Sequence, residues 1–306
     1  MTGFAEAWLL AFLLAATLGA GALAVLASGI LMRESWVEPL RPSFSAVGRA
    51  MPVLILLALP ILALAGELYP WSGKRSLAVL ISGGAILVLW AVLGRLLAQP
   101  GASRKRAGAS LLLLVLSAAI GFEDWALSRD PGWVGSLNGI ALLVGGAASF
   151  LALVVLVHGR PGEPEARTGL ERALLTLGIF ALWLLFVQFI TVWAADLPPE
   201  AAWYLRRQEG GWFWLVAGLA VPSLLGAIAL SAMPQWRAGR MRTVCVLLVV
   251  QHASLLLWTV RPDAVLAPGA ARGMPSLLAD AIVIGSVALL LLLAFRLARR
   301  GGARPV

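Results

Sequence analysis

Apolar stretches of about 20 residues recur along this chain, each long enough to cross the hydrocarbon core of a bilayer as a helix. They fall near 8–32, 49–66, 77–98, 108–127, 133–158, 170–195, 212–232, 243–260 and 276–298. In lipid a backbone must satisfy its own hydrogen bonds within the segment or in a closed barrel, so runs of this length read as helices. Hydrophobic residues make up 60% of the chain and charged residues 13%, whereas a soluble domain holds roughly 45–50% apolar residues. The expected fold is all-α, a polytopic transmembrane helical bundle of about nine spans, with residues 1–306 as a single integral membrane domain. The segments between runs are about 10–20 residues at most, too short for a soluble cofactor-binding module. No Lys or Arg precedes Arg33, so the first run lacks the positive region of a signal peptide and is read as a retained span.

The basic residues set the expected orientation. Of the 24 Lys and Arg, 17 fall in the connections after spans one, three, five and seven and in the C-terminal tail, and 7 fall on the other side. Positive charge stays inside, which predicts a bacterial inner-membrane protein with a periplasmic N-terminus and a cytoplasmic C-terminus. The formal charge of +9 is scattered in short clusters between apolar runs. No basic patch gathers on one face, so nucleic acid is not an expected partner and the lipid bilayer is.

Several chemistries are excluded by what the chain lacks. Its single Cys245 cannot build a disulfide framework or a cysteine-ligated iron–sulfur cluster. Only two histidines are present. His158 closes span five while His252 lies inside span eight, which puts them at different levels for a bis-histidine haem. No phosphate-binding loop, dinucleotide fingerprint or zinc spacing occurs. No cofactor or metal is expected, and an independent enzyme is not the reading.

The remaining polar groups collect on the expected outer side. Span four leaves the membrane through Glu123, Asp124 and Asp130, while span six and the turn after it supply Gln188, Asp196 and Glu200, followed by Arg206 and Arg207. Span eight carries Gln251 and His252, and span nine carries Asp280 without an obvious local partner. Ionisable groups in spans cost about 2.5–3.5 kcal/mol or more on insertion scales, so they face protein or a wet cavity. Each has two readings. Glu123, Asp124 and Asp130 cap a helix end and pair with Arg129, or they handle protons and dock a partner. Asp196 and Glu200 pair with Arg206 and Arg207 to fix their loop, or they face a partner. His252 ties helices together or relays protons. Trp71, Trp125, Trp133, Trp203 and Trp212 read as interfacial anchors, and Pro52 and Pro60 predict a kink in span two.

Several segments in order carry a family resemblance: Ala46 to Pro52, Leu68-Tyr-Pro-Trp71, Asp124-Trp125 with Ser128, Pro131 and Trp133, Trp193 to Trp212 with its Leu-Pro-Pro-Glu turn, and Trp258-Thr-Val-Arg-Pro262. Together they resemble the F subunit of bacterial alternative complex III, a membrane quinol:electron-acceptor oxidoreductase, over about residues 20–262. The resemblance implies a cofactor-free, non-catalytic subunit in a quinol:cytochrome c oxidoreductase. Its implied partners are a quinol-binding membrane subunit and periplasmic iron–sulfur and haem c proteins. It also implies a proton route rather than an electron route. Carried over by position, Asp124, Glu200 and Arg206 fall within the matching motifs, and Asp130, Asp196 and His252 lie beside them; Asp280 joins them as a proton-path candidate from its place in span nine. The chain departs from the family at Asp196, where Asn is common, and at Leu255, where an acid is common.

A second class of function is an independent transporter or channel. Transporters place polar groups at the midplane on broken helices, whereas most acids here sit at one edge, which favours the subunit reading.

Overall fold

The computed structural model describes residues 2–71, 76–130, 132–133, 137–233, 238–266 and 277–301. Of the residues used above, Lys74, Arg75, Pro131, Arg237, Arg272 and Arg304 lie outside the described residues.

Among the described residues each apolar run closes its own backbone hydrogen bonds as a helix, and no strand occurs. Helix α1 runs Thr2–Met32, α2 Val37–Ala50, α3 Val53–Ala63 and α4 Ala65–Leu68. Helix α5 runs Ser76–Ala98, and α6 Arg104–Phe122 continues into a π turn at Glu123–Leu127. Then come α7 Asn138–His158, α8 Pro164–Ala194 and the short α9 Pro198–Arg206. Helix α10, Trp212–Leu215, passes through a second π turn, Val216–Ala220, into α11, Val221–Ala232. Helix α12, Ala238–Val260, ends in a 3-10 turn at Arg261–Leu266, and α13 covers Leu277–Gly301.

Eight of these helical stretches are long and apolar enough to cross a membrane, and the bent pair α2–α3 makes nine. Contacts at the two ends show that the pair crosses the bundle. Arg41 of α2 donates to the Gln99 carbonyl at 3.2 Å, and Ser43 meets His158 at 3.3 Å, both at one end. Tyr69, just past α4, donates to the Trp125 carbonyl at 2.9 Å at the other end. The chain therefore traverses the bundle between Arg41 and Tyr69, in keeping with the spacing of the apolar runs.

One expected connection is instead a helix. The stretch between the first two runs folds as α2, whose Val37, Leu40 and Phe44 recur at helical spacing and are buried. The chain then turns by 42° between α2 and α3, at Pro52, which has no N–H to bond the Gly48 carbonyl. Pro60 is accommodated within α3.

Helix α1 is the axis of the bundle, with both flanks lined by buried alanine and leucine. It meets α7 backbone to backbone: a Cβ at Gly146 would stand 2.1 Å from the Thr17 carbonyl oxygen. Without a hydrophobic force between helices in lipid, small residues at a crossing earn association through close contact. The outer helices expose apolar faces, as in Phe186 and Trp193 of α8 and Leu289, Leu290 and Leu293 of α13. Arg49 of α2 donates to the Ala298 carbonyl at 3.1 Å, and Arg104 to that of Leu31 at 2.9 Å. The C-terminal end of α13 thus lies at the end of the bundle opposite the start of α1.

Candidate functional site

A helix leaves its last four carbonyls without intrahelical partners. At the end of α12, arginines supply them. Arg207 Nε donates to the Trp258 carbonyl at 3.1 Å, its Nη2 to that of Thr259 at 2.5 Å, and Arg129 Nη1 to that of Val260 at 3.1 Å. Cations are also favoured there by the helix dipole, and the planar guanidinium fork serves several acceptors at once.

Buried guanidinium groups need counter-charges, because an unpaired charge in low dielectric is costly. Arg129 pairs with Glu6 from the first turns of α1. Arg207 Nη2 lies 2.7 Å from Asp263 Oδ2 in the 3-10 turn. Arg206 Nε stands 3.5 Å from the other oxygen of Asp263 and also pairs with Asp130. Arg261 pairs with Asp280 at the start of α13. Asp130 is steadied further by the Gly132 N–H at 2.9 Å. Arginines 129, 206, 207 and 261 are thus matched by Glu6, Asp130, Asp263 and Asp280, and the formal charge of the group cancels. The result is a clasp joining α1, the segment after α6, α9, the end of α12 and α13.

Aromatic rings wall the clasp. Trp203 stacks on Trp133 with centroids 4.3 Å apart, and meets Trp258 edge to face at 5.2 Å. Arg207 covers the Trp203 face at 3.4 Å, a cation–π contact strengthened by desolvation. Burial lowers the Arg207 pKa to about 10, with the Asp263 carboxylate opposing the shift; the guanidinium stays charged at neutral pH. Burial raises the phenol pKa of Tyr69 and of Tyr204. Trp125, Trp133 and Trp203 are therefore core residues of this end and not lipid-facing anchors.

The first π turn belongs to the same end. Ser128 N–H donates to the Glu123 carbonyl at 2.9 Å, the wider spacing of a π turn. The Trp125 carbonyl accepts from the Tyr69 hydroxyl at 2.9 Å, and Trp71 Nε1 donates to Ser128 Oγ at 2.9 Å. The Leu-Tyr-Pro-Trp segment is thereby stitched to the Asp-Trp segment.

The structure gathers some of the sequence-derived candidates and separates others. Asp130, Arg206 and Asp280 enter the clasp. Asp280 has a partner after all in Arg261, which the 3-10 turn brings to it from outside its own helix. Asp124 points instead to α5, where Ser82 donates to it at 3.3 Å. Asp196 is exposed at a left-handed φ of 47° after α8, and Glu200 sits half-buried in the first turn of α9. Neither pairs with Arg206 or Arg207, because those arginines turn inward to Asp130 and Asp263. Arg129 likewise pairs with Glu6 and not with Glu123, Asp124 or Asp130. His252 lies in the core of α12, about 12 Å along the helix from its clasp end. Its Nε2 is 2.9 Å from Thr17 Oγ1.

Glu6 and Asp263 were not among the expected residues. Glu6 is an isolated acid two residues before the first apolar run as bounded above, and Asp263 directly follows the Arg261-Pro262 motif. An acid at the edge of a span calls for a cation partner, so the signal was present in both.

Among the described residues no group of three or more His, Cys, Asp or Glu side chains is placed to hold a metal ion. What the clasp can do chemically is hold: each of its carboxylates is bound to a guanidinium, and each guanidinium to a carboxylate. No known family model matches the sequence, and no curated protein is significantly similar to it.

Proposed function

We propose that this chain is a cofactor-free, non-catalytic membrane subunit of a quinol-oxidising respiratory complex of the alternative complex III type. It sits in the bacterial inner membrane with its N-terminus periplasmic and its C-terminus cytoplasmic. One observation carries the reading. Three of the segments behind the family resemblance converge on one place, where Asp130 and Trp133 meet Trp203, Arg206 and Arg207, and these meet Trp258. A charge-matched, aromatic-walled clasp holds several connections rigid at one end. That end suits the docking of iron–sulfur and haem c proteins from the periplasm, beside a quinol-binding membrane partner. Because the carboxylates of the clasp are all taken up by arginines, a scaffold role is favoured there over an ion pathway, and the transporter alternative is the weaker one.

A second role as a proton route draws on a different pair. Glu123 and Asp124 are neighbouring acids in the π turn, and among the described residues no arginine or lysine pairs with either. Glu123 leaves Oε1 buried without a hydrogen-bond partner. Acids of this kind at the edge of a span are candidates for proton transfer.

Tagging the chain in its native host and purifying it in mild detergent tests the assembly. Haem c and iron–sulfur proteins are expected to accompany it in fixed ratio; recovery of the chain alone refutes the subunit reading. In the assembled complex, Glu123→Gln with Asp124→Asn should lower proton release per quinol if the second role is real, and leave it unchanged if it is not.

A further inference from the structure

We propose that a cavity beside the clasp binds the head of a neutral membrane amphiphile, a molecule with an uncharged hydrogen-bonding head on an apolar body. The proposal stands on the cavity alone and does not depend on the subunit reading. The cavity has a volume of about 360 Å³ and lies between α7, α8, α9, the second π turn with α11, and α12. This is within the range of small-molecule sites, about 300–1,000 Å³.

Four buried polar atoms on its lining residues have no hydrogen-bond partner: Gln251 Oε1, Asn138 Nδ2, Trp203 Nε1 and Trp258 Nε1. Their residues are 1%, 9%, 1% and 8% exposed. A buried polar group left unpaired is costly, so four around one space point to a guest. One accepts and three donate, which calls for a head bearing both hydroxyl-type donors and oxygen acceptors.

The head is uncharged because the walls offer no free charge. Arg207 is the charged side chain among the lining residues. It is already held by Asp263, by the carbonyls of Trp203, Trp258 and Thr259, and by the Trp203 ring. A phosphate head would find no cation to spare.

The body is apolar because of where the mouth lies. Phe186, Phe189 and Phe213 line the cavity and are also 58%, 48% and 42% exposed. The opening is therefore on the outward face of helices apolar enough to span a membrane. The second π turn shapes this wall. Pro222 has no N–H for the Gly218 carbonyl, and Val221 donates to Val216. The helix widens at Val216 and Ala220, which line the cavity, and π turns of this kind recur at functional sites.

Such a head has two sources in a membrane, the hydroxylated ring of a quinol and the glycerol of an uncharged lipid. The full chain in lipid nanodiscs is titrated with a decyl-benzoquinol, a monoacylglycerol, decylbenzene and decyl phosphate, and bound probe is counted per chain. The expected result is one bound molecule of a neutral polar probe per chain, about tenfold tighter than either control. The better of the two polar probes identifies the source. Gln251→Leu and Asn138→Leu, read independently so that failure of one to fold leaves the other, should each weaken that probe roughly fivefold and leave decylbenzene unchanged. Binding of decylbenzene or decyl phosphate as tight as the polar probes, no binding of either polar probe, or undiminished binding by the folded variants overturns the proposal.

Discussion

The guanidinium carbon of Arg207 lies 3.4 Å from the centroid of the Trp203 ring, and one of its nitrogens donates to the Trp203 carbonyl at 3.0 Å. The two residues are four apart, so a helical turn alone brings them face to face. With its plane fixed by the indole, the fork points at the end of α12 and at Asp263. A local spacing thus aims a charge at a partner more than fifty residues away, and α9, only Pro198–Arg206, becomes a bracket between α8 and α12.

Arg207 is accordingly the residue on which the clasp depends most. Arg207→Met strips Asp263 of its 2.7 Å partner and leaves the carbonyls of Trp258 and Thr259 unmet. Removing one member of a buried ion pair costs about 3–5 kcal/mol. Arg207→Lys keeps the charge without the fork and should fall between Met and the parent. Denaturant or thermal unfolding in detergent measures both; a Met variant as stable as the parent contradicts the clasp.

Gly146→Ala tests the axis of the fold. Its new Cβ would stand 2.1 Å from the Thr17 carbonyl oxygen and 2.5 Å from the carbonyl carbon, so α1 and α7 must separate. Overpacking costs about 1–3 kcal/mol and occasionally more. The expected outcome is a lower midpoint temperature with the helical circular dichroism intact. Gly66→Ala, which meets nothing within 4 Å, is the control.

The helices were legible because their determinants are local: length, apolarity and prolines need no knowledge of neighbours. Helix α2 was missed since its burial depends on α1 and α5, and its two prolines and three charges look like a connection when read alone. Within the site, Asp130 and Arg206 stood out as polar groups in unusual segments, but their pairing did not. Arg206 has Glu200 nearby in sequence, yet Asp130 reaches it from across the bundle. Glu6 was hidden by a boundary drawn at residue 8, when the first helix begins at Thr2. Pairing across spans is a three-dimensional fact, and one sequence holds only its ingredients.

The orientation proposed for the chain predicts the result of a labelling experiment. Cys245 is buried and should stay silent. Glu209 and Pro100 are exposed at opposite ends of the bundle, and neither position has the positive φ of Gly210 or Gly101. A membrane-impermeant maleimide added to intact spheroplasts should label Glu209→Cys and spare Pro100→Cys until the membrane is opened. The reverse pattern inverts the topology and moves the clasp to the cytoplasmic side.

His252 and Asp280 distinguish the scaffold from a relay through the core. A relay needs each proton carrier within hydrogen-bond reach of the next, directly or through one water. His252 has Thr17 on Nε2, while its Nδ1 is buried without a partner and packs against Gly145, where a Cβ would come within 2.7 Å. Asp280 is bound to Arg261. These surroundings suit a tie between α1 and α12 and a clasp between α12 and α13. Interhelical hydrogen bonds in membranes average about 0.6 kcal/mol, but emptying the site of a fully buried ring adds a cavity term that brings large truncations to about 2–5 kcal/mol. His252→Ala should therefore lower thermal stability clearly, and Asp280→Asn should lower it by stranding Arg261. In the quinol-oxidising complex proposed for the chain, both should keep quinol turnover and proton release. A variant that assembles, turns over quinol at the parent rate and releases fewer protons per quinol would place its residue on the proton route instead.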